Sequence, residues 1–308
     1  MLPTKFTQSN RHSFKRAAAS YFLLFAFFTL VNCRSANQTA QADLPTREVT
    51  DDLGRTIRIP QNIERAVSLA PNLTENIFAV GAGSKLVGVT SFCDYPDEAK
   101  KIPKIGDTIS PNMETIIALK PQIVFVSTAS QIENFTKTLE NQNIAIFITN
   151  PNDFESILRN LKQLADILGT SANAEKLIGD LQRRVKIVEE KVKDKPKTKV
   201  FVQISKEPLF TIGKDSFITE IIERAGGESV TKNVATAYPK LSKETASALN
   251  PDALILSESP DNTEPNEVFV SSGAMKNKRV FRVNAALLAR PGPRLVDALE
   301  QIAKDLHY

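Results

Sequence analysis

The sequence predicts an α/β protein: two lobes with mainly parallel sheets flanked by helices, joined by one long helix. Three observations predict it. Strand and helix patterns alternate along the chain. A charged, amphipathic stretch of some two dozen residues interrupts them near the middle. A helix-to-strand segment is written twice, as ETIIALKPQIVFV from Glu114 and ETASALNPDALIL from Glu244, 130 residues apart with no insertion inside the match. Duplication of a structural unit is the natural reading.

The elements follow in chain order. The alternation in VTDDLGRTIRIP, within 47–60, predicts a small hairpin turning at 52–54. RAVSLAP reads as a strand running into a turn, and NLTENIFAVGAG as a short helix opened by Asn72 and closed by glycine. KLVGVTSF is a second strand. In each copy of the repeat a good N-cap, Asn112 or Ser242, stands two residues before the glutamate, which places Glu114 and Glu244 in a first helical turn beside the positive end of the dipole. Apolar spacing gives about two turns of helix, proline ends each, and IVFV and ALIL are continuous apolar runs suited to strands buried on both faces. A helix at about 131–141 and the strand IAIFITN complete the first lobe. Long helical patterns cover 154–168 and 171–195. The second has Leu177, Leu181, Val185, Val188 and Val192 on one stripe and spans about 35 Å, long enough to bridge two lobes rigidly. KVFVQI, a helix at 216–225 stopped by Gly226 and Gly227, the second copy of the repeat, RVFRV and a final helix then restate the first lobe's order.

The chain of 308 residues, 42% hydrophobic, is long enough for two cored lobes. Its start belongs to neither. Lys5, Arg11, Lys15 and Arg16 precede AAASYFLLFAFFTLV, an apolar run shorter than a membrane span needs, so 1–33 reads as an export signal. It ends LVNC, placing Cys33 where a lipoprotein signal sets the cysteine that is cleaved and acylated. The polar tract SANQTAQAD lies within a tether at 34–46, and cleavage after AQA at 40–42 is the rival that would release the protein from the membrane. The lobes then run 47–168 and 197–308 with the linking helix at 169–196. The leader holds four of the 39 Lys and Arg and none of the 35 Asp and Glu, leaving 35 against 35. A neutral mature chain gives no support to nucleic-acid binding. Acylation of Cys33 leaves Cys93 without an intrachain disulfide partner.

The two histidines, His12 and His307, stand in the leader and next to the C-terminal residue. An imidazole metal site or a histidine-based catalytic set therefore cannot be assembled, and GxxxxGK[ST], GxGxxG and HExxH are absent. No metal site and no enzyme are expected. Loops that would face a cleft carry other chemistry: Pro71 and Asn72 at a helix start, Phe92 and Tyr95 in SFCDYP, Tyr238 in TAYPKLS, and Arg290 and Arg294 in LLARPGPR. Aromatics with one or two arginines suit a large, partly apolar ligand with polar edges. The structural alternatives are that Phe92 and Tyr95 fill a core and Arg290 is a solvated charge. Cys93 reads as a buried small apolar side chain.

From about Arg47 to the end the chain resembles the periplasmic-binding-protein type that serves ABC importers of cobalamin, ferric siderophores and haem, with the closest likeness to cobalamin binders. VSLAPNLTE, VGVTSFCDYP, METIIALKP, KVFVQISKEPLFTIGKDSFITEIIERAGG, YPKLSKE and RPGPR carry the likeness in the family's order and spacing. The resemblance implies an exported, periplasmic or cell-surface monomer that holds its ligand between the lobes and delivers it to the importer's transmembrane dimer. It implies docking of that dimer through Glu114 and Glu244. It also implies ligand contacts at Phe92, Thr108, Tyr238 and the 287–290 loop, with Leu287, Leu288 and Arg290. Thr108 and Tyr238 stand where tryptophan occurs in cobalamin binders, and this chain has no tryptophan. The expected ligand is a corrinoid, with no cofactor besides it. The alternatives are haem with Tyr238 or Tyr95 as phenolate ligand, a ferric siderophore, and, from another class, a non-transport enzyme or surface interaction protein without importer contacts.

Overall fold

A computed structural model describes residues 45–128 and 133–308, with side chains in the second segment from residue 136. Cys33, the leader and the tether up to residue 44 lie outside the described residues. Residues 46–308 form one compact unit. Its first lobe runs β1 (Thr46–Thr50), β2 (Thr56–Pro60), β3 (Ala66–Ser68), α1 (Pro71–Ala79), β4 (Leu86–Val89), α2 (Met113–Ala118), β5 (Ile123–Ser127), α3 (Glu133–Glu140), β6 (Ala145–Thr149) and α4 (Phe154–Leu168). Helix α5 (Ser171–Val192) follows. The second lobe has β7 (Thr198–Gln203), α6 (Phe217–Arg224), β8 (Gly227–Ser229), α7 (Lys243–Ala248), β9 (Ala253–Glu258), α8 (Gly273–Lys276), β10 (Val280–Asn284), α9 (Ala285–Leu288) and α10 (Leu295–His307).

Both four-stranded sheets are parallel throughout, ordered β4-β3-β5-β6 and β8-β7-β9-β10. Numbered within its own lobe, each sheet is 2-1-3-4, so the duplication inferred from one repeated segment extends to the whole lobe. The repeat also matches in backbone detail. Asn112 and Ser242 cap their helices by accepting from Thr115 N–H and Thr245 N–H, and the residues before the two prolines, Lys120 and Asn250, both take positive φ (48° and 40°).

Strand parity distributes the core. Ile123 and Phe125 of β5 face a cluster shared with Val200, Val202 and Ile255 of the second sheet, while Val124 and Val126 face a separate outer cluster with Ile116 and Ile146. The shared cluster runs under α5, whose Leu181, Val185, Val188 and Val192 are buried, Leu177 being partly so. Helix α5 packs on α4 and α10, and Arg184 ties it to Asp297 (2.6 Å) and Glu300 (2.8 Å). The linker is thus seated along much of its length in apolar packing that belongs to both lobes.

Two sequence expectations need correction. The expected order lacked β8, because Gly226 and Gly227 read as a stop. Gly226 does turn the chain at φ +81°, and pairing with Thr198–Val200 then makes the next three residues a strand. Helix α1 is opened by Pro71 after Ala70, with no side-chain cap; Asn72 lies within the helix and is buried.

The hairpin β1–β2 is held to the edge of β6 by Asp51. Its buried carboxylate accepts from Leu53 N–H and Arg55 N–H (3.0 Å each) and Arg55 Nε (2.9 Å), and the next residue's N–H reaches Ile148 O (3.1 Å). Asp51→Ala is expected to cost about 2–3 kcal/mol, because buried donors lose a charged acceptor. Urea unfolding with a lower midpoint and an unchanged slope would check it.

Candidate functional site

Loops leaving the carboxyl ends of parallel strands converge where the two lobes face each other. In the first lobe the 90–96 loop is pinned by Cys93, whose sulfur lies 3.1 Å from both Thr74 Oγ1 and Thr90 Oγ1. The cysteine is buried, as its sequence suggested. Turned inward, it leaves Phe92 57% and Tyr95 46% exposed, so the core alternative for these aromatics is excluded.

The second lobe brings the ARPGPR turn against this loop and α1. Arg290 Nη1 donates to Glu75 Oε1 (2.6 Å) and Asp94 Oδ1 (2.8 Å); Arg294 donates through Nε to Glu75 Oε2 (2.8 Å) and through Nη2 to Oε1 (2.6 Å). The Tyr95 ring covers the Arg294 guanidinium at 3.9 Å. Asn76 Nδ2 donates to Pro291 O (3.2 Å), and a Cβ at Gly292 would stand 2.4 Å from Asn76 Oδ1, so a larger residue there would displace the Asn76 amide. The Glu75 side chain is 5% exposed, those of Arg290 and Arg294 about a fifth, and that of Asp94 61%. Partial burial opposes ionisation of Asp94, but its hydrogen bond to Arg290 and the charges of both arginines hold its carboxyl below the usual range. Beside this network is a cavity of about 450 Å³ lined by Glu75, Phe78, Tyr95, Pro293 and Arg294 among others.

Arg290 is therefore not a free surface charge: two carboxylates of the other lobe hold it, and about a fifth of its side chain stays exposed. The sequence reading named Arg290, Arg294 and Tyr95 and missed Glu75 and Asp94. Both stand inside quoted motifs, NLTE and FCDY, but no local pattern links positions some 200 residues apart.

A second cross-lobe contact lies at the other edge of the sheets, beyond the carboxyl end of β6. Asp153 caps α4 through Ser156 N–H (2.6 Å), Phe154 N–H donates to Glu220 Oε2 (2.7 Å), and Arg224, paired with Glu220 and Glu189, lies over the Phe154 ring at 5.4 Å. A cavity of about 460 Å³ there is lined by Asn152, Asp153, Lys214, Asp215 and neighbouring polar residues.

The remaining expected residues divide. Tyr238 is 42% exposed on a loop tied back by Thr211 N–H to Pro239 O (3.1 Å) and Gly213 N–H to Ala237 O (2.9 Å). A Cβ at Gly213 would meet Thr236 O at 2.2 Å, so this glycine permits the presentation of Tyr238. Desolvation pushes the Tyr238 phenol above its ordinary range, against a smaller lowering by Ser216. Thr108 is half-buried; its neighbour Ile109, not anticipated, is 63% exposed on a turn in which Asp107 Oδ1 accepts from Ile109 N–H (2.8 Å) and Ser110 N–H (2.6 Å). Leu288 is fully buried and Leu287 packs partly against the core, because α9 turns both inward; Leu288 has no surface to offer a ligand. Among the described residues, no hydrogen bond or ring contact joins Thr108 or Tyr238 to the Arg290 network, and no group of three His, Cys, Asp or Glu is placed to hold a metal ion.

Glu114 and Glu244 are both exposed in first helical turns. The backbone amide and the Ser242 hydroxyl lower the pKa of Glu244, so it is charged at neutral pH.

Comparison with known proteins bears on this arrangement. A family model described as periplasmic binding protein matches residues 67–287. The uncharacterized ABC transporter substrate-binding lipoprotein YvrC of Bacillus subtilis is 29% identical over 95% of this chain and 98% of its own length. The crystal structure of the periplasmic vitamin B12 binding protein of Vibrio cholerae superposes with TM-score 0.72 at 26% identity, covering 80% of this chain and 98% of that one. A periplasmic heme binding protein from Pseudomonas aeruginosa gives 0.70 at 26%, over 78% and 91%. No helix among the described residues is long and apolar enough to cross a membrane.

Proposed function

The chain belongs to the periplasmic binding protein family, and from that premise we propose that it is the extracytoplasmic substrate-binding component of an ABC importer, carrying a corrinoid between its lobes as a monomer and not acting as an enzyme. The observation that carries the transport reading is the duplicated frame: two identically ordered lobes, each presenting an exposed first-turn glutamate at the same repeat position. Such a pseudo-symmetric pair suits a symmetric membrane dimer. Likeness to a B12-binding protein supports the corrinoid. In this reading Phe92, Tyr238, Thr108 and the outer donors of Arg290 meet the ligand, with Pro71, Asn72, Tyr95 and Leu287 supporting them.

Calorimetric titration of the leaderless protein with cyanocobalamin, haemin and a ferric siderophore tests it. One-to-one binding of cyanocobalamin in preference to the others is expected. Preference for haemin, with a tyrosinate spectrum lost in Tyr238→Phe, overturns the corrinoid in favour of the haem reading that the Pseudomonas likeness supports.

We further propose that Cys33 is acylated, as the name of the Bacillus relative and the LVNC sequence support. A fatty-acid probe should label the wild type and not Cys33→Ser. A mature N-terminus at Asp43 without label would place cleavage after Ala42 instead.

A further inference from the structure

We propose that Asp94 is a specificity-determining residue: it occupies the outward side of Arg290 and sets the cleft against anionic ligands. This rests on the reading of the cleft as a ligand site and goes beyond it by giving the charge class of the ligand.

Arg290 and Arg294 bring two positive charges from the second lobe, and Glu75 and Asp94 two negative charges from the first, all joined through hydrogen bonds of 2.6–2.8 Å. The cluster sums to zero. The two carboxylates do not stand alike within it. Glu75 is buried and accepts from both arginines, and Arg294 is in turn covered by the Tyr95 ring, so Glu75 serves the packing of the lobes. Asp94 touches only Arg290 among these groups, is 61% exposed, and stands on the loop that also displays Phe92 and Tyr95. Removing it would leave Arg290 with a charge that Glu75, shared with Arg294, cannot balance.

Consequences for ligands follow from the donors. Arg290 Nη1 is taken by Glu75 and Asp94, while Nε and Nη2 have no acceptor among the hydrogen bonds of the described residues. A neutral acceptor such as an amide carbonyl can use those donors with Asp94 in place. An anionic group would have to displace Asp94 or lie against its carboxylate, and either is unfavourable in a partly desolvated site. An amide-edged ligand without net charge is favoured over a carboxylate-rich tetrapyrrole or a polyanionic ferric chelate.

The test compares wild type, Asp94→Asn and Asp94→Asn/Arg290→Gln, each first checked by thermal melting. A ferric tricatecholate chelate and haemin are the anionic probes; cyanocobalamin, without net charge, is the neutral one. The asparagine variant should bind at least one anionic probe roughly tenfold more tightly than wild type, a change of about 1.4 kcal/mol. The gain should shrink in high salt and vanish in the double variant. Anionic affinity unchanged within about twofold, including no binding to either protein, overturns the role of Asp94 whatever cyanocobalamin does. Failure of wild type to bind cyanocobalamin instead overturns the corrinoid reading, and the comparison of wild type with Asp94→Asn on the anionic probes still decides the inference.

Discussion

Glu75→Ala is expected to lower stability by about 3–5 kcal/mol, the range for removing one member of a buried ion pair. The carboxylate lost is 5% exposed and accepts three hydrogen bonds from two guanidinium groups, each about a fifth exposed. Without it Arg290 keeps only the rim carboxylate of Asp94, and Arg294 keeps the face of Tyr95 but no anion. Partial exposure lets water reach both arginines, which favours the lower end of the range. Glu75→Gln keeps one acceptor oxygen but loses the charge and turns an amide donor toward an arginine, so a loss close to that of alanine is expected. In thermal unfolding the alanine variant should fall by at least 6 °C, at roughly 2–4 °C per kcal/mol for a chain near this size. A loss under about 1 kcal/mol would show that the network behaves as a solvated surface cluster, and its cross-lobe hydrogen bonds would then contribute little.

That network marks the boundary of what the sequence could disclose. Helices α4 and α5 and strands β5 and β9 were legible because their signals are local: a 3.6-residue stripe in one case, a continuous apolar run in the other. The repeat added a long-range fact, since two copies of one helix–strand unit imply two copies of its surroundings. What stayed hidden has no local signature. Strand β8 is three residues long and exists through its pairing with β7. Pairing of Glu75 with Arg290 and Arg294 depends on the close approach of α1 and the Gly292 turn, which no periodicity encodes. Leu288 was misplaced for a related reason: one turn of helix directs its side chain inward, which no local pattern signals. Ile109 carried a faint signal as an apolar residue in the polar stretch GDTISPN. Cross-lobe contacts at both flanks, Glu75 with the arginines and Glu220 with Phe154 N–H, likewise have no local signature.

Replacing Glu114 and Glu244 together by alanine is expected to leave folding and ligand affinity nearly unchanged while removing most delivery to the importer. Neither glutamate has a cross-lobe partner in the ion pairs of the described residues, and both helices keep their N-caps, Asn112 and Ser242, without them. Their loss inside the protein is confined to a favourable interaction with an exposed helix start. At a docked interface the balance differs, because a carboxylate paired with a cation there is withdrawn from water, and truncating it strands the partner. Docking of the double variant should weaken roughly 30-fold or more. Each single variant should lie between, since in this reading each lobe of the matched pair makes one contact. Lysine should be worse than alanine at either position, placing like charges face to face. The measurement is complex formation and uptake with the cognate permease reconstituted in liposomes, with ligand affinity measured on the same protein preparations. Full uptake by the double variant would reduce the two glutamates to helix-start residues, and the duplicated frame would then record the history of the fold without a role in docking.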